Sequence, residues 1–393
     1  FHEWMTGTGL LYLKSANVPI ATVFTTHATV IGRCIAGNNL PLYDGILSYN
    51  ADEKARQFNV VARHSLEKKA AQNSDIFTTV SEITAQECRQ FLGRPVDVVT
   101  PNGFEPSFTP ATDEEYIVLR EKARQRLVTV ASAMCGEEVP ENAVLVGIGG
   151  RYEWKNKGID VFIDALDKLN HTDFKGKCVH AFIMIPSGHN GPDKQLLAKL
   201  NGNGSTYVTR SSHYLMNPEY DNVTRRLNEL NFNNAAGDKV KVYFIPSYLN
   251  GNDGVFNMTY YDLLSGLDLT LFPSYYEPWG YTPLESVAFH VPAITTDLAG
   301  FGLWVNSLKG KYGELEDGVK VIHRSDYNYS EVADAIKDTI SEFSGMSEAE
   351  IKKIRKNAAG IAEKALWKHF IKYYYEAYDV ALRNAHKRLL TQE

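Results

Sequence analysis

The sequence predicts an α/β protein of two doubly wound domains, each a parallel sheet covered by helices. Three observations carry this. Short β-branched runs alternate with segments of helical period across Gly, Ser or Thr turns, which is the pattern of βα units rather than of hairpins. The 393 residues exceed what one hydrophobic core usually organises, and 44% hydrophobic with 22% charged residues is an ordinary globular balance, so two domains are expected. The segments richest in Gly, Arg, Lys and Glu follow predicted strands directly, where open α/β sheets bind their ligands.

In the first half, Ile20–Phe24 and Asp75–Thr79 are predicted strands, the second followed by a helix whose start carries the capping pair Thr84 and Glu87. Val96–Val99 then runs into the turn Pro101-Asn102-Gly103, and a second capping pair, Thr112 and Glu115, opens a long helix toward Ala133. The Gly- and Pro-containing break at 135–140 and the apolar strand Ala143–Ile148 set the expected boundary, giving domains 1–138 and 139–365. The second is expected to contain a helix from Gly158 to Leu169, strands at 178–185, 239–245, 269–272 and 292–295, and a helix from Tyr260 to Leu267. A polar, Asn- and Gly-rich stretch at 188–237 is expected to be a surface insertion with one basic helical piece near 224–230. Residues 366–393 are expected to form a terminal helix that crosses back to the first domain.

The formal charge of −6 offers no general attraction to nucleic acid or anionic membrane, so any phosphate must be held by a few placed cations. Cys34, Cys88, Cys135 and Cys178 are too scattered for a zinc site or a disulfide scaffold and read as reduced thiols of a cytoplasmic protein. No apolar run approaches the length of a membrane span. The chain opens on Phe1-His2-Glu3-Trp4 without an initiator Met and reads like the middle of a domain, so the first domain is expected to lack its amino-terminal strands.

Three segments carry chemistry. In Phe272-Pro-Ser-Tyr-Tyr-Glu277-Pro-Trp-Gly280-Tyr281-Thr282-Pro-Leu-Glu285 a strand ends and a helix starts near Thr282 with Pro283 in its first turn. Free N–H groups and the dipole at that terminus suit a diphosphate, Gly280 permits close approach, Glu277 can accept from sugar hydroxyls, and Glu285 can hold a ribose diol. A tight strand-to-helix connection with two solvated carboxylates gives the same pattern. Gly147-Ile-Gly-Gly-Arg151-Tyr-Glu-Trp-Lys-Asn-Lys157-Gly158 also follows a strand, and its Arg151 and Lys157 suit a pyrophosphate leaving group; a basic surface loop is the plainer reading. With no Asp-x-Asp triplet and no acidic or His cluster at ligand spacing, cationic side chains rather than a metal are expected as the electrophile. Phe24-Thr-Thr-His27-Ala-Thr-Val-Ile-Gly-Arg33 delivers a His and an Arg from a strand end, and His2-Glu3-Trp4 reads as a weaker loop of the same kind, although a lone His after a strand is more often structural.

Taken together and in order, Phe-His-Glu-Trp, Phe-Thr-Thr-His-Ala-Thr, Phe-Thr-Thr-Val-Ser, Pro-Asn-Gly, Gly-Arg-Tyr-Glu, Asn-Lys-Gly and Tyr-Tyr-Glu-Pro-Trp-Gly-Tyr-Thr-Pro resemble the glycogen synthases of the animal and fungal type, glycosyltransferase family 3, over the whole chain. The resemblance implies a GT-B architecture, two Rossmann-like domains facing a central cleft. It implies retaining transfer of glucose from UDP-glucose to the non-reducing end of an α-1,4-glucan, without a metal cofactor. It implies Glu277 as the active-site acid, Glu285 at the ribose, Arg151 and Lys157 on the diphosphate with Tyr281 and Thr282 assisting, His27 and Arg33 at the glucose, and Tyr260 against the uracil. His2, Glu3 and Asn102 are expected at the substrate through their matching motifs. The chain departs from the family pattern at Ile351–Lys356, where one Arg among lysines stands in place of an arginine-rich, glucose 6-phosphate-binding helix and reads as a solvated basic face. The 188–237 stretch is shorter than the insertion that assembles eukaryotic tetramers, so a homo-oligomer is open. Two other readings stay open: a retaining GT-B enzyme with a small or lipid-linked acceptor, and a non-catalytic UDP- or glucan-binding module.

Overall fold

A computed structural model describes residues 1–204 and 206–391. Eleven strands form two parallel sheets and one two-stranded antiparallel sheet among these residues. β1 (Val23–Thr26), β2 (Ile76–Thr79) and β3 (Val98–Val99) make the first sheet in that order, and the backbone of Phe1–His2 runs parallel beside β1. β4 (Val144–Gly149), β5 (Val179–Met184), β8 (Val240–Phe244), β9 (Leu269–Leu271), β10 (Ala293–Thr296) and β11 (Val319–Ile322) make the second, in the order β11-β10-β9-β4-β5-β8. β6 (His189–Pro192) and β7 (His213–Leu215) pair antiparallel.

Period-two burial explains the layers. In the first sheet Phe24 and Phe77 face the helices Glu3–Ser15 and Val61–Asn73 through Leu10, Ala70 and Ala71, while Val23, Ile76 and Val98 face the opposite way, onto Ala377 and Ala381 of the terminal helix Trp367–Leu390. In the second sheet Val144, Val146 and Ile148 turn toward the helices Ile159–Asn170 and Tyr329–Gly345, and Leu145, Phe182 and Tyr243 turn the other way. The terminal helix therefore spans both halves: Phe370 packs on Trp279 and Trp304, and Arg388 and Lys14 converge on the buried Asp75.

The structure revises several expectations. The helix Asp113–Cys135, capped by Thr112 as read, packs Ala123, Leu127, Val130 and Met134 onto Leu145, Phe182 and Tyr243, so the division between the halves falls before Asp113 and not at 138. Its apolar stripe had two sheets to choose from, and the sequence does not say which. β1 begins three residues later than predicted, because Thr25 and Thr26 are buried through hydroxyl bonds to Thr78 and Glu67 and Ile20 is exposed. The helix after β2 is capped by Ser81, not Thr84, and Glu87 is buried in the first half's interior. The 188–237 stretch is not a mere surface insertion: Ser211 bridges to Phe244, and the helix Asn222–Glu229 covers the sheet with Val223 and Leu227. On the helix Glu348–Lys364 the lysines are exposed, but Arg355 is buried against Tyr116 and the Leu267 carbonyl. β11 and the helix Gly300–Lys309 lacked a sequence signal strong enough to predict.

One buried ion cluster ties the misassigned helix to the second sheet. Asp268 accepts from Arg120 at 2.6 Å, Arg124 at 2.7 Å and the Leu145 amide at 2.9 Å. Burial pushes its pKa up, but Arg124 and Arg120 outweigh that and hold it below the ordinary carboxylate value. Asp268→Ala strands two guanidinium groups and is expected to cost about 3 kcal/mol, read as a lowered midpoint in thermal or urea unfolding. Its effect grows weaker in acid, because a depressed pKa stabilises above the unfolded value and is lost as pH falls through the folded one.

The opposite case is Glu67, fully buried, paired with no Lys or Arg among the described residues, and accepting from the Val30 amide at 3.0 Å. Burial raises its pKa to about 8. A raised pKa contributes stability that is complete below the unfolded value near 4.5 and lost as pH rises through 8. Glu67→Gln is therefore expected to flatten the decline in thermal midpoint between pH 5 and pH 9, and an unchanged slope refutes it.

Candidate functional site

The second sheet reverses its direction of growth between β4 and β9: later strands step outward through β5 and β8 on one side and through β10 and β11 on the other. Such a switch point opens a crevice at the carboxyl ends of the two central strands. Both glycine-containing segments leave the sheet there, one after β4 and one after β9.

The two loops are zipped together. The Asn156 carbonyl accepts from the amides of Tyr275 at 2.9 Å and Tyr276 at 3.1 Å, and Arg324 donates to the Pro273 carbonyl. Gly158, at φ 71°, begins the helix Ile159–Asn170 so close to Pro273 that a Cβ would sit 2.2 Å from its carbonyl oxygen. Only glycine meets both demands. This closeness places the Lys157 ammonium on the Glu277 carboxylate, each side chain 13% exposed.

Across the crevice, the first sheet presents the end of β1. Glu3 accepts from the amides of His27 at 2.9 Å and Ala28 at 3.2 Å, and His2 Nδ1 and His27 Nε2 lie 3.0 Å apart with stacked rings. Desolvation lowers the pKa of both imidazoles, and at His2 the charge of His27 adds to the lowering, which favours the neutral, hydrogen-bonding form of each. Burial raises the Glu3 carboxyl, and the two amides offset part of that. Thr29 caps the helix Val30–Gly37, which carries Arg33.

Between these walls lies a cavity of about 200 Å³, lined among others by His27, Arg33, Asn102, Arg151, Glu277 and Tyr281. Six residues predicted from three distant segments and the Pro-Asn-Gly turn thus meet. Among the described residues Arg151 pairs with Glu153 alone, at 3.0 Å, with its side chain 68% exposed. Gly280, at φ 108°, starts the helix Tyr281–Ala288, with Thr282 in its first turn. Glu285 lies away from the cavity, accepting from Tyr261 at 3.0 Å, and burial raises its pKa to about 7. Tyr260 packs its ring where a Cβ on Gly149 would be, and its buried hydroxyl is without a partner among the described residues. His2 and Glu3 stand behind His27 rather than in the cavity. Asn156, Tyr276 and Trp279 line the cavity and were not predicted. All three sit within the quoted motifs, but their neighbours are set by tertiary placement. Among the described residues, no group of three or more His, Cys, Asp or Glu is placed to hold a metal ion, and no helix is long and apolar enough to cross a membrane.

The chain resembles solved glycosyltransferase-related structures in fold. A sucrose-phosphate synthase from Thermosynechococcus elongatus covers 100% of this chain and is itself covered over 73%, with a TM-score of 0.52 and 17% identity. The N-terminal domain of a Candida albicans trehalose-6-phosphate phosphatase covers 97%, is covered over 70%, and gives 0.57 with 13% identity. These place the fold as GT-B. In sequence, glycogen [starch] synthase isoform 1 of Saccharomyces cerevisiae is 28% identical across 100% of this chain and 65% of its own length. The liver glycogen [starch] synthase of Mus musculus is 27% identical across 98% of this chain and 62% of its own. The chain thus spans somewhat under two thirds of the length of these relatives. The glycogen synthase family pattern matches residues 1–198 and 194–393, and the chain belongs to that family.

Proposed function

We propose that this chain carries the site of a retaining glucosyltransferase that moves glucose from UDP-glucose to the non-reducing end of an α-1,4-glucan. The observation that carries the reading is the meeting of Glu277, Arg151, His27 and Arg33 around one cavity at the switch point. In this reading the diphosphate rests on Arg151, Lys157 and the free N–H groups of the helix Tyr281–Ala288, which supply positive charge where the leaving group becomes more negative. Glu285 takes the ribose and Tyr260 the uracil, and the glucose lies between Glu277 and the His27–Arg33 wall. The bond from the anomeric carbon to the β-phosphate oxygen breaks, the acceptor oxygen bonds to that carbon on the same face, and its proton passes to the departing phosphate. Glu277 stabilises the positive charge that develops at the sugar. Four unpaired thiols among the described residues support a reducing compartment, and we place the protein in the cytoplasm.

The test is incorporation of labelled glucose into glycogen from UDP-glucose and from ADP-glucose, with wild type and Glu277→Ala. Incorporation from UDP-glucose that falls at least about 100-fold in Glu277→Ala supports the reading. UDP binding without transfer from either donor points instead to a non-catalytic module, and transfer only to small or lipid-linked acceptors points to a different enzyme of the same fold.

Arg151→Ala and Lys157→Ala are each expected to lower kcat by about 100- to 1,000-fold, with the smaller change in KM, because the lost charge acts mainly on the leaving group. Near-normal turnover in either variant removes that residue from the diphosphate site.

A further inference from the structure

Glu87 lies on the helix Glu82–Leu92, 1% exposed, with no Lys or Arg bonded to it among the described residues. Its two oxygens take three hydroxyl donors: Thr29 at 2.6 Å and Tyr276 at 3.3 Å on Oε2, and Tyr43 at 3.2 Å on Oε1. Thr29 caps the helix that carries Arg33 and stands two residues after His27. Tyr276 belongs to the other half and precedes Glu277. One carboxylate thus grips the backbone segments that carry both walls of the cavity.

We propose that Glu87 is a positioning residue that sets the His27–Arg33 wall against the Glu277 wall, through Thr29 on one side and Tyr276 on the other. The packing around it is specific. A Cβ on Gly32 would lie 2.0 Å from Glu87 Oε2, so the carboxylate reaches the start of that helix only because position 32 has no side chain. Tyr275 and Tyr276, 1% and 4% exposed, sit in one apolar cluster with Ala28, Ile31, Ile35, Leu42 and Ile83 of the first half, so the tyrosine hydroxyl reaches Glu87 from a buried, largely apolar interface. A hydrogen bond to an ionised or shared-proton carboxyl there is strong, and an orphaned one is costly. Burial raises the Glu87 pKa to about 7, so Gln at this position resembles a state the carboxyl itself populates near neutrality. The Gln oxygen can accept from Thr29 and Tyr276 while its N–H donates to Tyr43.

The role rests on the proposed transferase reading, and two measurements separate them. In amide hydrogen exchange of the unliganded protein, residues 29–33 are expected to exchange faster in Glu87→Ala and in Tyr276→Phe, and at the wild-type rate in Glu87→Gln. Wild-type exchange in both of the first two overturns the proposal whether or not the protein transfers glucose. In the transfer assay, Glu87→Ala and Tyr276→Phe are expected to lower kcat about tenfold or more while the Kd for UDP changes less than about threefold, since the nucleotide rests on the second half alone. The double variant is expected to be no worse than Glu87→Ala, because both remove the same link, and Glu87→Gln is expected to keep kcat within about threefold. Additive losses, or UDP affinity falling in parallel with kcat, overturn the positioning role and mark Glu87 as a general packing residue. If the wild-type protein transfers no glucose, the transferase reading fails and the exchange experiment alone decides the link.

Discussion

Two loops leave the second sheet side by side at the carboxyl ends of β4 and β9, and the chemistry of the molecule depends on how tightly they are held together. Asn156 offers its carbonyl to two successive amides of the neighbouring loop, and Gly158 leaves no side chain between them. Without that closeness Lys157 and Glu277 would be separate solvated charges. With it they form one nearly buried pair whose carboxylate lines the cavity, near a helix start whose N–H groups are unsatisfied within the helix. Parallel strands make this possible, since every loop at one end of the sheet emerges in the same direction.

Buried carboxylates are handled in two ways, by matched cations, as at Asp268 and Asp75, and by amides and hydroxyls alone. Asp268 is matched by two arginines and a backbone amide, an arrangement that locks a helix to its sheet. Around the loop after β1, by contrast, Glu3, Glu67 and Glu87 are buried chiefly against amides and hydroxyls, and burial raises the pKa of each. Such carboxyls are poor anchors for stability and good templates for a loop, because each accepts from a specified donor. Together they take the amides of His27, Ala28 and Val30 and the hydroxyl of Thr29, which is nearly the whole connection between β1 and the helix bearing Arg33. The shape of one cavity wall is thus written in hydrogen bonds to acids rather than in apolar packing.

Contact between the halves has an apolar part and a polar part. Tyr275 and Tyr276 insert into the first half's cluster, Asp326 accepts from the amides of Leu42 at 3.0 Å and Asp44 at 2.8 Å, and the terminal helix spans both bodies from Trp279 to Asp75. The segment that carries the active-site acid in the proposed reaction is therefore also the segment that docks the halves, which couples the geometry of the site to their relative position.

Alternation of β-branched runs with helical periods by itself determined the α/β class and the parallel sheets, because period and turn chemistry are local properties. The three loop segments were also legible, since Gly, Arg, Lys and Glu just after a strand mark the place where parallel sheets bind ligands, and His27, Arg33, Arg151 and Glu277 do meet. What only tertiary structure decided was partnership. The stripe on Asp113–Cys135 fits either sheet by pattern, and its arginines had to find Asp268, 144 residues away from Arg124, to settle which. Glu87 carries the spacing of a helix cap and instead faces inward, because Ser81 supplies the cap and Tyr276 arrives from 189 residues further along. Asn156 and Trp279 likewise became cavity residues only when two loops closed on one another. Local periodicity specifies elements, while the contacts that build a site join positions far apart in the chain and follow from which faces bury each other.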